Sequence, residues 1–226
     1  MKNLIFGLIA TVFLGGYLYG QSFDEPGIKH NEGLKELLLS FDNTLSKDNV
    51  KQKTFDFLKD RMDSEDFENM YIFTDYSDPF KMLNELKINK NISTDLLSII
   101  EKDLNQFNST INYNDVEKIV NQKLKENRGL NENDEKIYLS FLSVAKHSSR
   151  FWDINGENGT KYLPYKETIE MTPRGPNGNI DVNYEIIKIS WRKVFLCDVI
   201  ADLASGFNPF IAIGASCISA VMQSDL

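Results

Sequence analysis

Three residue types that cooperate in hydrolytic enzymes occur in the second half of the chain. His147 and Ser148 lie in the stretch SVAKHSSRFW, and Asp198 and Asp202 lie in the stretch CDVIADLASGFNPFIAIGASC. A serine, a histidine and an aspartate can act as nucleophile, base and orienting acid. The chain has no G-x-S-x-G segment and no glycine-rich loop to build an oxyanion hole. We therefore expect no catalytic residue, and a Ser/His/Asp hydrolase ranks below a structural polar network.

The two aspartates interrupt an otherwise apolar run. Their i, i+4 spacing places Asp198 and Asp202 on one helix face. A carboxylate buried without partners is costly, so each needs hydrogen bonds, a cation or exposure to water. Arg192, Lys193 and Lys188 are candidate cations for Asp198. A serine of the helix that carries Ser148 is a candidate donor to Asp202, because small hydroxyls lie there on an apolar face.

The two cysteines form a candidate disulfide. We expect Ile187–Ala204 and Pro209–Gln223 to be antiparallel helices of a hairpin around Phe207. Cys197 and Cys217 then lie ten residues on either side of the centre, about 15 Å along each helix at 1.5 Å per residue. Residues at equal height in facing helices suit a disulfide, although two buried free thiols are the alternative.

The sequence contains no convincing metal-binding site. The two cysteines and the distant His30 and His147 give no ligand cluster. The stretches 153–157 and 177–183 alternate oxygen-bearing side chains, but neither has the glycine and glutamate of an EF-hand loop. We expect no metal and no cofactor.

The elements that position these residues are mainly helical. Apolar side chains recur at i, i+3, i+4 and i+7 from about Asn31, and capping residues at Ser93, at Asn114 or Asp115, and at 133–135 precede further helical runs. We place a helix end at Arg128–Gly129. The fold class predicted is mainly α: a multi-helix globular domain with a Gly/Pro/Asn-rich insertion and a C-terminal helical hairpin. We expect residues 21–226 to form a single helical domain that contains an irregular insertion at 153–186 and a helical hairpin at 187–226.

The first 20 residues have the layout of a signal peptide. A lysine precedes an apolar run that is too short to span a membrane comfortably, and polar sequence starts at Gln21. We expect cleavage near Gly20 and export to the periplasm or the extracellular space; an uncleaved anchor is the alternative. Richness in Lys, Asn and Ile is typical of AT-rich genomes and indicates a bacterial origin.

The charge of the chain excludes one class of partner. The full chain has a net charge of −8, and without residues 1–20, which include Lys2, 24 basic residues face 33 acidic ones for a charge of −9. Nucleic-acid binding needs a basic surface, so we expect no nucleic-acid partner.

The C-terminal segment 207–223 is apolar and carries a ridge of small residues, Ala212, Ser216 and Ala220, at four-residue intervals. Such ridges permit close helix packing, in membranes especially. A buried helix of a globular core is the preferred interpretation. Contact of this segment with an envelope protein or a membrane is the alternative, against which the charges of Asp198 and Asp202 count.

Two of these stretches also carry a resemblance to known proteins. The segment AKHSSRFW, followed by Trp191, Ala201-Asp202 and Ala204-Ser205-Gly206, resembles a loosely defined set of small exported bacterial proteins of unknown function. Their tails are richer in glycine than this one, which has Asn208 and Pro209 there. The resemblance covers about a third of the chain and brings no activity. It implies that Ser148, Trp152, Trp191 and Asp202 share one structural core.

These observations together predict an exported helical protein, most plausibly a non-catalytic binding or structural module of the cell envelope or secretome. A membrane-active or toxin-like effector that uses the C-terminal hairpin is the alternative. The residues predicted to form a structural network are Ser148, Trp152, Trp191, Asp198 and Asp202.

Overall fold

The fold is mainly α-helical, as predicted, in the part of the chain that the computed structural model describes. The described residues are 23–42, 44–89, 92–163, 167–168, 183–184, 189–205 and 209–224. Their helices are α1 (Glu25–Ser40), α2 (Val50–Leu58), α3 (Ser64–Asn69), α4 (Pro79–Asn89), α5 (Thr94–Asn108), α6 (Tyr113–Lys123), α7 (Glu132–Trp152), α8 (Trp191–Ser205) and α9 (Pro209–Gln223). Single 3-10 turns lie at Met70–Ile72 and Gly159–Tyr162.

The rest of the regular structure is a small antiparallel ladder. Strands β1 (Glu167–Thr168) and β2 (Asn183–Tyr184) pair with Glu167 opposite Tyr184. They fall within the predicted insertion at 153–186, most of which lies outside the described residues, as does the predicted signal peptide at 1–20.

Helix α1 begins earlier than its apolar period indicates. It starts at Glu25, with Pro26 in the first turn, where the missing N–H of proline is no loss. Gly27 allows this first turn to lie against α7: its N–H donates to Ser143 Oγ at 3.0 Å, and an added Cβ would lie 2.5 Å from the Ser143 carbonyl oxygen. The helix thus begins six residues before Asn31, where the apolar period starts.

Capping side chains set the starts of α3, α5, α6 and α7, of which α3 is capped by Asp63. Ser93 Oγ accepts from Leu96 N and caps α5, as predicted. Asn112, rather than Asn114 or Asp115, caps α6. Asn131 caps α7, two residues before the predicted start. Asx and Ser side chains crowd these segments, so the pattern locates a helix start only to within a few residues.

The predicted end of α6 at Arg128–Gly129 is wrong, because the helix stops at Lys123. The carbonyl of Lys123 at this end accepts from Glu126 N at 3.2 Å and also from the guanidinium of Arg128, which turns back toward the helix. Gly129 has a φ of 66° and lies in the link to α7. Its left-handed conformation serves this link and not the helix end.

Two helices form the centre of the bundle. Helices α8 and α9 pack against each other; α8 also contacts α4, α5 and α7, and α9 contacts α1 and α2. Every residue of Val194–Ala204 in α8 and of Ile211–Val221 in α9 is buried. The surrounding helices have one buried and one exposed face. The bounds predicted for α9 are confirmed, and α8 starts four residues later than predicted.

A buried polar network as the candidate functional site

The predicted network contains a carboxyl group at the centre of the bundle. Asp198 Oδ2 on α8 accepts hydrogen bonds from Ser148 Oγ and, at 3.3 Å, from Trp152 Nε1, both on α7. Trp152 Nε1 also donates to Ser216 Oγ of α9 at 3.0 Å. All four side chains are buried. One carboxyl group thus connects the three helices α7, α8 and α9 in the interior.

A histidine from a fourth helix completes this cluster. His30 Nε2 on α1 lies 3.8 Å from Asp198 Oδ2, too far for a hydrogen bond. His30 Nδ1 lies 3.0 Å from Asn31 Oδ1, and Asn31 Nδ2 donates to the carbonyl of His147 at 2.9 Å. The sequence interpretation treated His30 as an isolated histidine. Its i, i+4, i+7 spacing with the apolar Leu34 and Leu37 was the signal that it is buried.

The second aspartate lies one turn further along α8. Asp202 accepts from Ser140 Oγ at 2.8 Å, so a serine of α7 does donate to it, as the pattern suggested, although Ser140 was not singled out. Trp191 lies at the start of α8 and stacks on Phe195, with the ring centroids 5.4 Å apart. Within the described contacts, Trp191 is part of the core and not of the hydrogen-bonded cluster around Asp198.

Burial changes the charge of these groups. Burial raises the pKa of Asp198 to about 8, although hydrogen bonds from Ser148, Ser216 and Trp152 lower it in part. Burial likewise raises the pKa of Asp202 to about 7 against the hydrogen bond from Ser140. Removal from water also lowers the pKa of His30 to about 4. In slightly acidic and neutral solution Asp198 therefore keeps its proton and His30 is neutral, so the pair forms no ion pair.

The basic residues proposed as partners of Asp198 are used elsewhere. Arg192 donates to the carbonyls of Asn108 at 3.3 Å and Thr110 at 3.0 Å, and so ties the start of α8 to the end of α5. Lys193 is exposed, and Lys188 lies outside the described residues. The donors that hold the Asp198 carboxyl are thus uncharged hydroxyl and indole groups.

The predicted disulfide is not formed, since Cys197 and Cys217 are both free and buried. Cys197 Sγ donates to the carbonyl of Tyr76 at 3.2 Å, whereas Cys217 Sγ accepts from Thr54 Oγ1 at 3.5 Å. The two thiols therefore contact different neighbours of α8 and α9. Two residues at equal height in packed helices face each other only if each helix is rotated suitably about its axis. The prediction of a disulfide contained no information on that rotation.

The residues of the hydrolase hypothesis do not form a catalytic relay. His147 Nε2 lies 2.9 Å from Asp24 Oδ1, which also pairs with Lys146 Nζ at 2.7 Å. Burial alone would raise the pKa of Asp24, but the hydrogen bonds from Lys146 and His147 outweigh it and lower that pKa. Ser148 instead contacts Asp198 directly, with no imidazole between them. The Ser148 hydroxyl is thus not held by a histidine, and no surface of Ser148 is exposed to a substrate.

A further buried polar cluster was missed by the sequence interpretation. Asp103 Oδ1 of α5 lies 2.7 Å from Lys123 Nζ of α6, and Tyr138 of α7 donates its hydroxyl to Asp103 Oδ2. Burial and then the hydrogen bond to Asp103 raise the pKa of the Tyr138 hydroxyl. The guanidinium of Arg128 lies 4.2 Å from the centre of the Tyr138 ring. This cluster joins α5, α6 and α7 through buried side chains.

No metal-binding group of three or more His, Cys, Asp or Glu side chains occurs among the described residues. The carboxylate of Asp153, in one of the two oxygen-rich stretches, accepts instead from the backbone N–H of Tyr113 at 2.8 Å and of Asn155 at 2.9 Å. It fixes the start of α6 against the end of α7. The stretch 177–183 lies outside the described residues apart from Asn183.

Comparison with known proteins brings no assignment: no family, no curated protein and no solved structure matches the chain. Of the helices in the described residues, none combines the length and the apolar character needed to cross a membrane. Functional inference therefore depends on the geometry of the bundle alone.

Proposed function

We propose that this protein is exported and acts as a non-catalytic binding or structural module of the cell envelope or secretome. The observation that supports the absence of catalysis is the complete burial of Ser148 and Asp198. A nucleophile must reach its substrate, and a general base must lie within hydrogen-bond distance of it. The first condition fails for Ser148, which is fully buried. The group that accepts from its hydroxyl is the carboxyl of Asp198, whose pKa burial raises to about 8, so in neutral solution it is protonated and is no base.

The polar groups instead support a role in fold specificity. The Asp198 cluster needs α1, α7, α8 and α9 in one register, because its donors come from different helices. Buried polar groups are tolerated only when their partners are in place, so they disfavour other packings of the same helices. A module whose surface binds a partner depends on such a fixed scaffold.

Export is supported by the sequence of residues 1–20 and is tested by fractionation of the native culture. We expect the chain in a soluble exported fraction, with an intact mass that corresponds to a start near Gln21. A full-length mass in the cytoplasm or the membrane fraction would contradict export with cleavage.

The absence of catalysis is tested with a fluorophosphonate probe, which labels activated serines. We expect no labelling of the native protein, and the same result for Ser148→Ala. Labelling that disappears in Ser148→Ala but persists in Ser98→Ala, a change at an exposed serine of α5, would revive the hydrolase hypothesis.

A second candidate function, a membrane-active protein, is favoured by one observation. All eleven residues of Ile211–Val221 in α9 are buried, so this helix is enclosed on every side. A helix that is apolar all round belongs either in a protein core or in a membrane.

A further inference from the structure

The most apolar part of the described chain is also its most enclosed part. Helix α9 has no Asp, Glu, Lys or Arg, and the charged residues of α8 are Arg192 and Lys193 at its start and Asp198 and Asp202 within it. Helices α1, α2 and α7 contact this pair from outside and each has exposed polar residues. The bundle thus separates a central apolar pair from an amphipathic shell.

The donors described for the two central aspartates are uncharged. Asp198 is held by the hydroxyls and the indole of Ser148, Ser216 and Trp152, and Asp202 accepts from Ser140. Burial raises the pKa of both carboxyls, so both can stay protonated away from water. A protonated carboxyl is far less costly in hydrocarbon than a carboxylate, which weakens the objection that these aspartates exclude a membrane location.

The start of α8 has the residues of a membrane interface. Trp191 is half-buried and is followed by the exposed Arg192 and Lys193. Tryptophan and basic residues are enriched where helices meet the lipid headgroups. The apolar residues follow directly, from Val194 onward.

The length of the pair decides how it can meet a bilayer. Each helix has 15 residues, about 22 Å at 1.5 Å per residue, whereas the hydrocarbon core is about 30 Å thick. This length suits a re-entrant segment, which turns within the membrane, and does not suit a span.

We propose that α8 and α9 leave the bundle together and enter the hydrocarbon of one leaflet of a lipid bilayer, with Trp191 at the headgroup level and the shell helices left on the surface. With both aspartates protonated, the charges of the pair are those of Arg192 and Lys193 at its start, and the chain as a whole is acidic. We expect insertion to be driven by the apolar area of α8 and α9 and to occur in zwitterionic lipid. The proposal does not depend on export, since purified protein is sufficient to test it.

The first test uses a crosslink that holds α9 in the bundle. An added Cβ at Gly33 of α1 would lie 3.5 Å from Ile213 Cγ1 and closer still to Cδ1, so these two positions face each other and Gly33→Cys with Ile213→Cys is the pair chosen for a crosslink. Cys197→Ala and Cys217→Ala remove the native thiols from this variant. Flotation with phosphatidylcholine vesicles is compared for the oxidised and the reduced forms of the same protein.

We expect the reduced form to float with the vesicles and the oxidised form to lose flotation. Equal flotation of the two forms would overturn the proposal, because α9 would not need to leave. Absence of flotation of the wild-type chain with phosphatidylcholine, and also with added phosphatidylglycerol, would overturn it as well. Flotation only with phosphatidylglycerol would indicate surface electrostatics in place of insertion and would count against it.

The second test needs no crosslink and uses the two tryptophans of the chain. Trp152→Phe leaves Trp191 as the reporter on α8, and Trp191→Phe leaves Trp152 as the reporter on α7. With brominated phosphatidylcholine, we expect quenching of Trp191 and little quenching of Trp152. Equal quenching of both would mean that the whole chain unfolds on the vesicle, and no quenching of Trp191 would mean that α8 stays in the bundle; either result contradicts the proposal.

Discussion

His30 Nε2 lies 3.8 Å from Asp198 Oδ2 in the interior of the bundle, and both side chains are fully buried. Exposed groups of these types at this distance would attract each other as ions. Here burial removes both charges, because it lowers the pKa of His30 to about 4 and raises the pKa of Asp198 to about 8. The stability of the fold therefore depends on pH, and the two groups change it in opposite directions as the pH falls.

We predict that the free energy of unfolding rises as the pH is lowered from 8 to 5. Asp198 and Asp202 have folded pKa values of about 8 and about 7 and an ordinary value of 3.8. Their contribution is fully present below the unfolded pKa and is lost as the pH rises through the folded values. His30 acts in the opposite direction as the pH falls below its ordinary value of 6.5. Two carboxyls outweigh one imidazole, so the net gain is on the order of a few kcal/mol.

The measurement is urea unfolding at several pH values, with Asp198→Asn as the matched control. The groups that face Asp198 are His30 of α1, Ser148 and Trp152 of α7 and Ser216 of α9. The amide of asparagine does not titrate, so the variant should show a clearly smaller rise toward pH 5. A wild-type stability that falls steadily from pH 8 to pH 5 would show that the aspartates are ionised in the fold.

The hydroxyl of Ser148 is predicted to stabilise the bundle and not to support a reaction. Ser148→Ala removes a buried donor to Asp198, which costs about 1–3 kcal/mol when the partner stays buried. Thermal unfolding of this variant is compared with Ser98→Ala, which changes an exposed serine in the middle of α5. If both variants unfold at the wild-type temperature, the hydrogen bond between Ser148 and Asp198 is not a significant part of the fold.

The cysteines are predicted to remain thiols. Burial raises the pKa of Cys217 to about 12 and raises that of Cys197 even further, so neither forms a reactive thiolate in the native protein. A thiol reagent should therefore label no cysteine in the native state and two in denaturant. An intact mass lower by two hydrogens, or a mass that changes on reduction, would restore the Cys197–Cys217 disulfide.

The sequence is sufficient to predict most helices of this fold, but it does not predict the rotation of each helix about its own axis. The capping by Ser93 and both ends of α9 follow from local patterns, because caps and apolar runs act within a single helix. The separation of Cys197 from Cys217 depends on which neighbour each helix face meets, and no local pattern contains that information. The start of α1 was misjudged for the same reason: Gly27 is explained by its approach to Ser143, on a helix more than a hundred residues away.

Some residues of the candidate site are likewise predicted by local patterns, and others are revealed only by the packing of the helices. The small hydroxyls on the apolar face of the long helix were sufficient to predict that one of its serines would donate to Asp202. The basic partners predicted for Asp198 were wrong, because Ser148 donates to it instead. His30 and Ser216 come from helices whose packing against α7 and α8 only the three-dimensional structure reveals. The polar cluster of Asp103, Lys123 and Tyr138 was missed because each residue lies in a different helix.

That last cluster gives the sharpest prediction about stability. Lys123 Nζ lies 2.7 Å from Asp103 Oδ1, with the two side chains 8% and 0% exposed. Lys123→Met removes the cation and leaves the carboxylate buried beside Tyr138, which should cost about 3–5 kcal/mol. Asp103→Asn combined with Lys123→Met removes both charges, and should regain most of that loss. Chemical unfolding of the single and double variants measures the coupling between the two side chains. If the double variant is as unstable as Lys123→Met alone, the loss comes from packing of the lysine stem and not from an uncompensated charge.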